Sequence, residues 1–149
     1  MFECDTLRVN PVVLVVDDDA LVRRLARSTL EQLGIIVEEA EDGAEALSCF
    51  ELFRPDLVLL DVAMPDMDGY QVCTRLKASA WAQNVPVIFL TGRSEIHDEA
   101  RGFELGAVDY IVKPFNLVTL KARVQTHLQL KRQKDVLNTL VKTLGEDLY

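Results

Sequence analysis

VVLVVDDD, residues 12–19, is the stretch on which the fold turns. Val12 to Val16 is a run of strand length in which every position is apolar and all but Leu14 are β-branched. A strand covered on one face alternates apolar and polar residues. A run apolar at every position fits a strand covered on both faces, as in a parallel sheet between two layers of helices. Asp17, Asp18 and Asp19 then end the run abruptly, where such a strand would emerge into a loop.

Four further runs of comparable length lie downstream: Ile35 to Glu38, Leu57 to Leu60, Val87 to Leu90 and Ala107 to Val112. Helical spacing fills the intervals. Leu21, Leu25, Leu30 and Leu33 recur at near-helical intervals before Gly34, a natural stop for a first helix. Further helices are predicted near Ala44 to Phe53, Tyr70 to Ser79 and Glu95 to Leu105, with a long last one from about Leu117. Strict alternation of strand and helix predicts right-handed crossovers and a doubly wound α/β sandwich. In such sheets the ligand crevice lies beyond the carboxyl ends of the strands, where the winding reverses.

The 149 residues suffice for one domain and a tail. A content of 49% hydrophobic and 27% charged residues is that of a chain with a packed core. The net charge of -8 argues against a surface that neutralises nucleic-acid phosphates. Cys4, Cys49 and Cys73 have no CxxC or zinc-type spacing and are expected to be reduced thiols. No apolar run is long enough for a bilayer, and MFECDTLRVN lacks a basic-then-apolar signal pattern, so no membrane association and a cytoplasmic location are expected.

At the predicted strand ends stand Asp17 and Asp18, then Asp61, Thr91 and Lys113 before Pro114. Taken singly, each has a bland reading. The acidic triplet could cap the first helix, Thr91 could be a turn residue, and Lys113-Pro114 a loop. Their common location at one edge of the sheet favours a site instead. Converging carboxylates repel and must be compensated, by a raised pKa or by a cation, and an all-oxygen cluster suits a hard ion such as Mg²⁺. A divalent ion, an ammonium and a hydroxyl around a carboxylate are the parts needed to move a phosphoryl group onto it.

The blocks VVDDDALVRR, LLDVAMPDMDGYQV, VIFLTGRS and GAVDYIVKPF, in that order, resemble the signature blocks of bacterial response-regulator receiver domains, over roughly Pro11 to Gln125. The resemblance implies a five-stranded parallel sheet of order 2-1-3-4-5, the flavodoxin-like receiver fold, with an extended C-terminal helix. It implies that Asp61 accepts the phosphoryl group and that Asp17, Asp18 and Asp61 hold Mg²⁺ with the backbone carbonyl of Ala63. Thr91 would contact a phosphoryl oxygen, Lys113 would pair with the phosphorylated carboxylate, and Tyr110 would be the aromatic switch residue. The implied phosphoryl donor is a histidine kinase or phosphotransfer protein, and the implied role is a signalling switch in a two-component system rather than an enzyme. Two other classes compete: a haloacid-dehalogenase-type phosphatase with Asp17 as nucleophile, and a non-phosphorylated interaction module.

The small residues Ala63 and Gly92 suggest an open approach to Asp61, and Arg93 could reach toward a phosphate or point to solvent. Met64 to Gly69 reads as a positioning loop, Trp81 as closing a loop against the third helix, and His97 and His127 as surface residues. The expected partition is a lead-in over 1–10, the receiver over 11–128 and a helical extension over 129–149. In the extension Leu130, Leu137 and Leu144 repeat every seven residues, with Lys134, Val141 and Leu148 at the alternate positions. That pattern fits a coiled-coil homodimer or linker to an output domain of a longer chain; the competing arrangement is a helix folded back on its own domain.

Overall fold

In the computed structural model, which describes residues 10–92 and 99–147, Val12–Val16 form the first strand, β1, with every residue buried. It pairs in parallel on both sides, with β2 (Ile36–Ala40) and β3 (Leu57–Asp61). β4 (Val87–Gly92) pairs with β3, and β5 (Asp109–Lys113) with β4, giving the order β2-β1-β3-β4-β5. The continuous apolar runs are explained by helices on both faces. Alternate side chains of a strand point to opposite faces. Val13, Val15, Leu57, Leu59, Ile88, Leu90 and Ile111 therefore meet α1 (Ala20–Glu31) and α5 (Leu117–Asp147). Leu14, Val16, Val58, Leu60 and Phe89 face the other way, toward α2 (Gly43–Phe53) and α3 (Gly69–Leu76). On that second side the short α4 (Glu99–Glu104) lies over Tyr110 of β5.

Three aspartates start helices. Asp19, Asp42 and Asp68 accept from the backbone N–H groups of Leu21, Glu45 and Gln71, each satisfying a donor that the first helical turn leaves open. Asp68 and Gln71 form a reciprocal capping box, which fixes the entry of α3 beside the carboxyl end of β3.

Several boundaries differ from the sequence-based expectation. β2 runs from Ile36 to Ala40 rather than from Ile35 to Glu38, because its register is set by pairing with the whole of β1. As an edge strand it carries Glu39, which pairs with Arg23 and Arg27 of α1, each at 3.0 Å. β5 begins at Asp109 rather than Ala107: Gly106 is left-handed at φ 106°, and the turn it makes uses the next two residues to reach the sheet. Trp81 lies in a 3-10 turn (Ala80–Asn84) just after α3 and stacks on Phe50 of α2, with ring centroids 4.6 Å apart; the Arg54 guanidinium covers its ring at 4.5 Å. Arg93 and His97 lie outside the described residues, as do Cys4 and Leu148.

α5 is one uninterrupted helix of 31 residues, about 46 Å long at 1.5 Å per residue, and passes through Gly145 without stopping. Its first turns are buried through Leu120 and Val124. His127 is not a free surface residue: its Nε2 sits 3.1 Å from Asp109 Oδ2, and Arg123 holds the other carboxylate oxygen at 2.5 Å while donating to the Tyr110 carbonyl. Lys131 pairs with Asp56 at the amino end of β3. Further on, Val136, Leu137, Leu140, Val141 and Leu144 are exposed, so this stretch is not folded back into the core. Among the described residues no helix is long and apolar enough to cross a membrane.

Phe50 is buried in the second core and supports Trp81. Phe50→Ala is expected to cost about 3–5 kcal/mol of folding free energy, measured by denaturant titration followed through Trp81 fluorescence.

Candidate functional site

The parallel register brings the chemistry together. Val16 lies opposite Leu60, so Asp17 and Asp61, the next residue on each strand, emerge side by side at the carboxyl edge. Leu90 lies opposite Asp61, which puts Thr91 one step beyond it, and Gly92 lies opposite Lys113. Asp17, Asp61 and Thr91 are all buried, whereas Asp18 is exposed. The acidic triplet thus divides its labour: Asp19 caps α1, Asp18 faces solvent and Asp17 enters the site.

Lys113 Nζ donates to Asp17 Oδ2 at 3.0 Å and to Asp61 Oδ1 at 3.2 Å. The Asp19 backbone N–H donates to Asp17 Oδ1 at 2.9 Å, and Arg23 binds the Asp17 carbonyl at 2.6 Å. Both carboxylate oxygens of Asp17 are therefore committed. On Asp61 the Ala63 N–H also donates to Oδ1, at 3.3 Å, leaving Oδ2 outside these contacts. Asp17, Asp18 and Asp61 each offer an oxygen within 4.8 Å of the others, a donor set that fits a hard divalent cation.

Burial, followed by the charge of Asp17, pushes the Asp61 carboxyl up to about 7, against the pull of Lys113 and the Ala63 amide. Asp17 is also raised by burial, opposed by the Asp19 amide and Lys113. Burial works against the charge on Lys113, but hydrogen bonding and attraction to Asp17 and then Asp61 outweigh it, and its pKa rises. The group is short of positive charge.

Tyr110 is buried on the same face as Thr91, with its ring 5.4 Å from both Phe89 and Phe103. The loop after β3 passes unusually close to α3: a Cβ on Gly69 would lie 2.3 Å from the Asp61 carbonyl oxygen and 2.9 Å from Val62 Cα. Both obstacles are backbone. Cys49 and Cys73 are free thiols on α2 and α3, and burial pushes Cys73 up to about 11. Sequence reading missed Arg23, which binds the Asp17 carbonyl, and the Asp109–Arg123 pair that fastens β5 to α5. Only the first carries a signal, a basic residue one turn after a helix cap.

The site is an acidic cluster at the carboxyl edge of a five-stranded, doubly wound parallel sheet, bridged by a lysine from the last strand. A family model for the response regulator receiver domain matches residues 13–125. The chain is 42% identical over 136 residues to a probable transcriptional regulator, ycf27, of Cyanophora paradoxa, covering 91% of this chain and 55% of that protein. It is 50% identical over 101 residues to a probable cyclic di-GMP phosphodiesterase of Vibrio cholerae, covering 68% of this chain and 23% of that one. Among solved structures, the chemotaxis protein CheY4 of Vibrio cholerae matches with a TM-score of 0.75 at 33% identity, over 79% of this chain and 98% of that one. The chain belongs to the response regulator receiver domain family of two-component systems. It spans little more than half, or less, of the two curated relatives. A phosphatase with Asp17 as nucleophile has no support here, since both Asp17 oxygens are engaged, by the Asp19 amide and by Lys113.

Two outcomes follow from the geometry. The Asp61 carboxyl, 3.8 in a free chain and about 7 when folded, makes the folded state hold a proton that the unfolded chain has already released. Its contribution to stability is complete below about pH 4 and lost as pH rises through about 7. In chelator-treated protein, Asp61→Asn should therefore flatten the fall of unfolding free energy between those values and exceed the parent at pH 7.5. Gly69→Ala, whose methyl meets immovable backbone, is expected to cost about 3 kcal/mol, read as a lowered urea midpoint.

Proposed function

We propose that Asp61 is the phosphoacceptor of this receiver, and that Asp17, Asp18, Thr91 and Lys113 serve it. The observation that carries the reading is the Lys113 ammonium held between Asp17 and Asp61, with Asp61 Oδ2 outside the hydrogen bonds among the described residues. An Asp61 oxygen attacks the phosphorus of a phosphohistidine on a kinase or phosphotransfer protein, or of a small acyl phosphate. As the new P–O bond forms, the P–N or P–O bond to the donor breaks and the electron pair leaves with the donor. Binding of the divalent ion, for which Mg²⁺ is proposed, would offset repulsion among the carboxylates and charge on the transferring group. The residues to hold it are Asp17, Asp18 and Asp61, with the Ala63 carbonyl. Lys113 supplies a fixed positive charge to the product, and Thr91 a hydroxyl for a phosphoryl oxygen. The product group brings about -1.5 to -2 charges into a pocket already short of cations. New hydrogen bonds to Thr91 and Lys113 would then bias the position of Tyr110 and the surface of α4 and β5.

The output is proposed to pass along α5. β5 carries Lys113 in the site and Tyr110 in the switch, and Asp109 at its start holds Arg123 and His127 of α5. Beyond Lys131 the exposed Leu137, Val141 and Leu144 suit pairing with a second copy, or a link to an effector part of a longer chain, in a cytoplasmic regulator.

Intact-mass spectrometry after incubation with acetyl phosphate and Mg²⁺ is expected to show one added phosphate on the parent and none on Asp61→Asn; phosphate retained by the variant would overturn the assignment. Sedimentation with beryllofluoride and Mg²⁺ is expected to give a dimer for the full chain and a monomer for a chain ending at Leu130. A full chain that stays monomeric removes the dimer from the reading.

A further inference from the structure

α4 carries a glycine in its interior, where alanine would be the better helix former. Gly102 is buried, and the space its missing side chain leaves is filled. A Cβ built there would lie 1.9 Å from the Tyr110 hydroxyl oxygen, 2.9 Å from Tyr110 Cζ and 3.0 Å from Phe89 Cε2. The Tyr110 phenol thus occupies the place of a side chain on α4. Its ring is flanked by Phe89, inclined at 41°, and by Phe103, edge-on at 77°. A phenol ring is rigid and has only two side-chain torsions, so an overlap of this size is not relieved by a small tilt. It requires the ring to leave the slot for another rotamer.

We propose that Gly102 is the positioning residue for Tyr110: its bare Cα opens the slot under α4 that the phenol fills, and so sets the share of molecules with Tyr110 buried. The consequence for the site rests on the phosphoacceptor reading above. In the β4–β5 register Phe89 faces Tyr110 and Thr91 faces Val112, so Thr91 and Tyr110 are near neighbours on one face of the sheet. If phosphorylation favours the buried ring, the buried ring favours phosphorylation by the same factor, because coupling between two equilibria is reciprocal. Closing the slot then weakens the site from the far side of the sheet edge, without touching any residue that meets the phosphoryl group.

The test uses the full chain as parent, Gly102→Ala, Tyr110→Phe and the double variant. Tyrosine ring resonances are recorded with a soluble paramagnetic relaxation agent, the Tyr110 signal being the one lost in Tyr110→Phe. Affinity for beryllofluoride with Mg²⁺ is measured in parallel. Gly102→Ala is expected to move the Tyr110 signal and make it accessible to the agent, and to weaken beryllofluoride binding at least about five-fold. Tyr110→Phe removes the hydroxyl that overlaps most, so the double variant should bind within about two-fold of Tyr110→Phe alone. An unmoved Tyr110 signal in Gly102→Ala overturns the proposal, as does an affinity loss that persists undiminished in the double variant, whose ring lacks the overlapping hydroxyl. Should Gly102→Ala fail to fold, recovery of folding in the double variant supports the slot, and failure of both overturns it. A parent chain that does not bind beryllofluoride defeats the phosphoacceptor reading, while the Tyr110 signal still decides the slot.

Discussion

A single ammonium group between two buried carboxylates holds the functional end of this molecule together. Lys113 reaches Asp17 across 96 residues of chain and Asp61 across 52. Desolvating three charges is expensive, and attraction offsets that cost only where the geometry is close and the remaining oxygens have partners. Here the Asp19 and Ala63 amides supply such partners. Burial first, and repulsion among the carboxylates after it, nevertheless raises Asp17 and Asp61, and the three aspartates together form a donor set that fits a cation. Binding capacity and instability have the same origin.

That cluster exists because the sheet is parallel and in register. One residue of slip between β1 and β3 would move Asp17 or Asp61 to the opposite face and dissolve the site. Just beyond Asp61 the chain path is fixed by the close approach at Gly69, where backbone meets backbone, and by the capping box that starts α3 beside it. Packing at the far end of the sheet has a parallel role. Asp109 binds Arg123 and His127, so the strand that bears Lys113 and Tyr110 is fastened directly to the helix that leaves the domain. β5 and α5 are thus joined by side chains as well as by the connecting loop.

The fold was largely legible because it rests on local signals. Five apolar runs, the helical spacing between them and the turn residues at their ends each reflect a period or a backbone preference that needs no knowledge of the partner. The site was legible for a related reason: in a doubly wound sheet, polar residues at strand ends must converge, so Asp17, Asp61, Thr91 and Lys113 could be grouped before any distance was known. What the sequence left out fell where partners decide. Trp81 stacks on α2 because Phe50 offers a flat face there, and His127 is drawn from the surface by Asp109. Neither contact has a sequence period.

By itself the sequence determined the layer architecture and the identity of the acidic cluster, which follow from hydrophobic periodicity and the position of polar residues at strand ends; the strand order came only as what the family resemblance implies. Tertiary structure alone decided which oxygen of each carboxylate is engaged, that Asp19 caps while Asp17 is buried, and that Gly102 yields its side-chain volume to Tyr110. The physical reason is that burial and close contact are properties of pairs of residues brought together across the chain. A pattern along one segment specifies which face is covered, but not which atom of a distant side chain covers it.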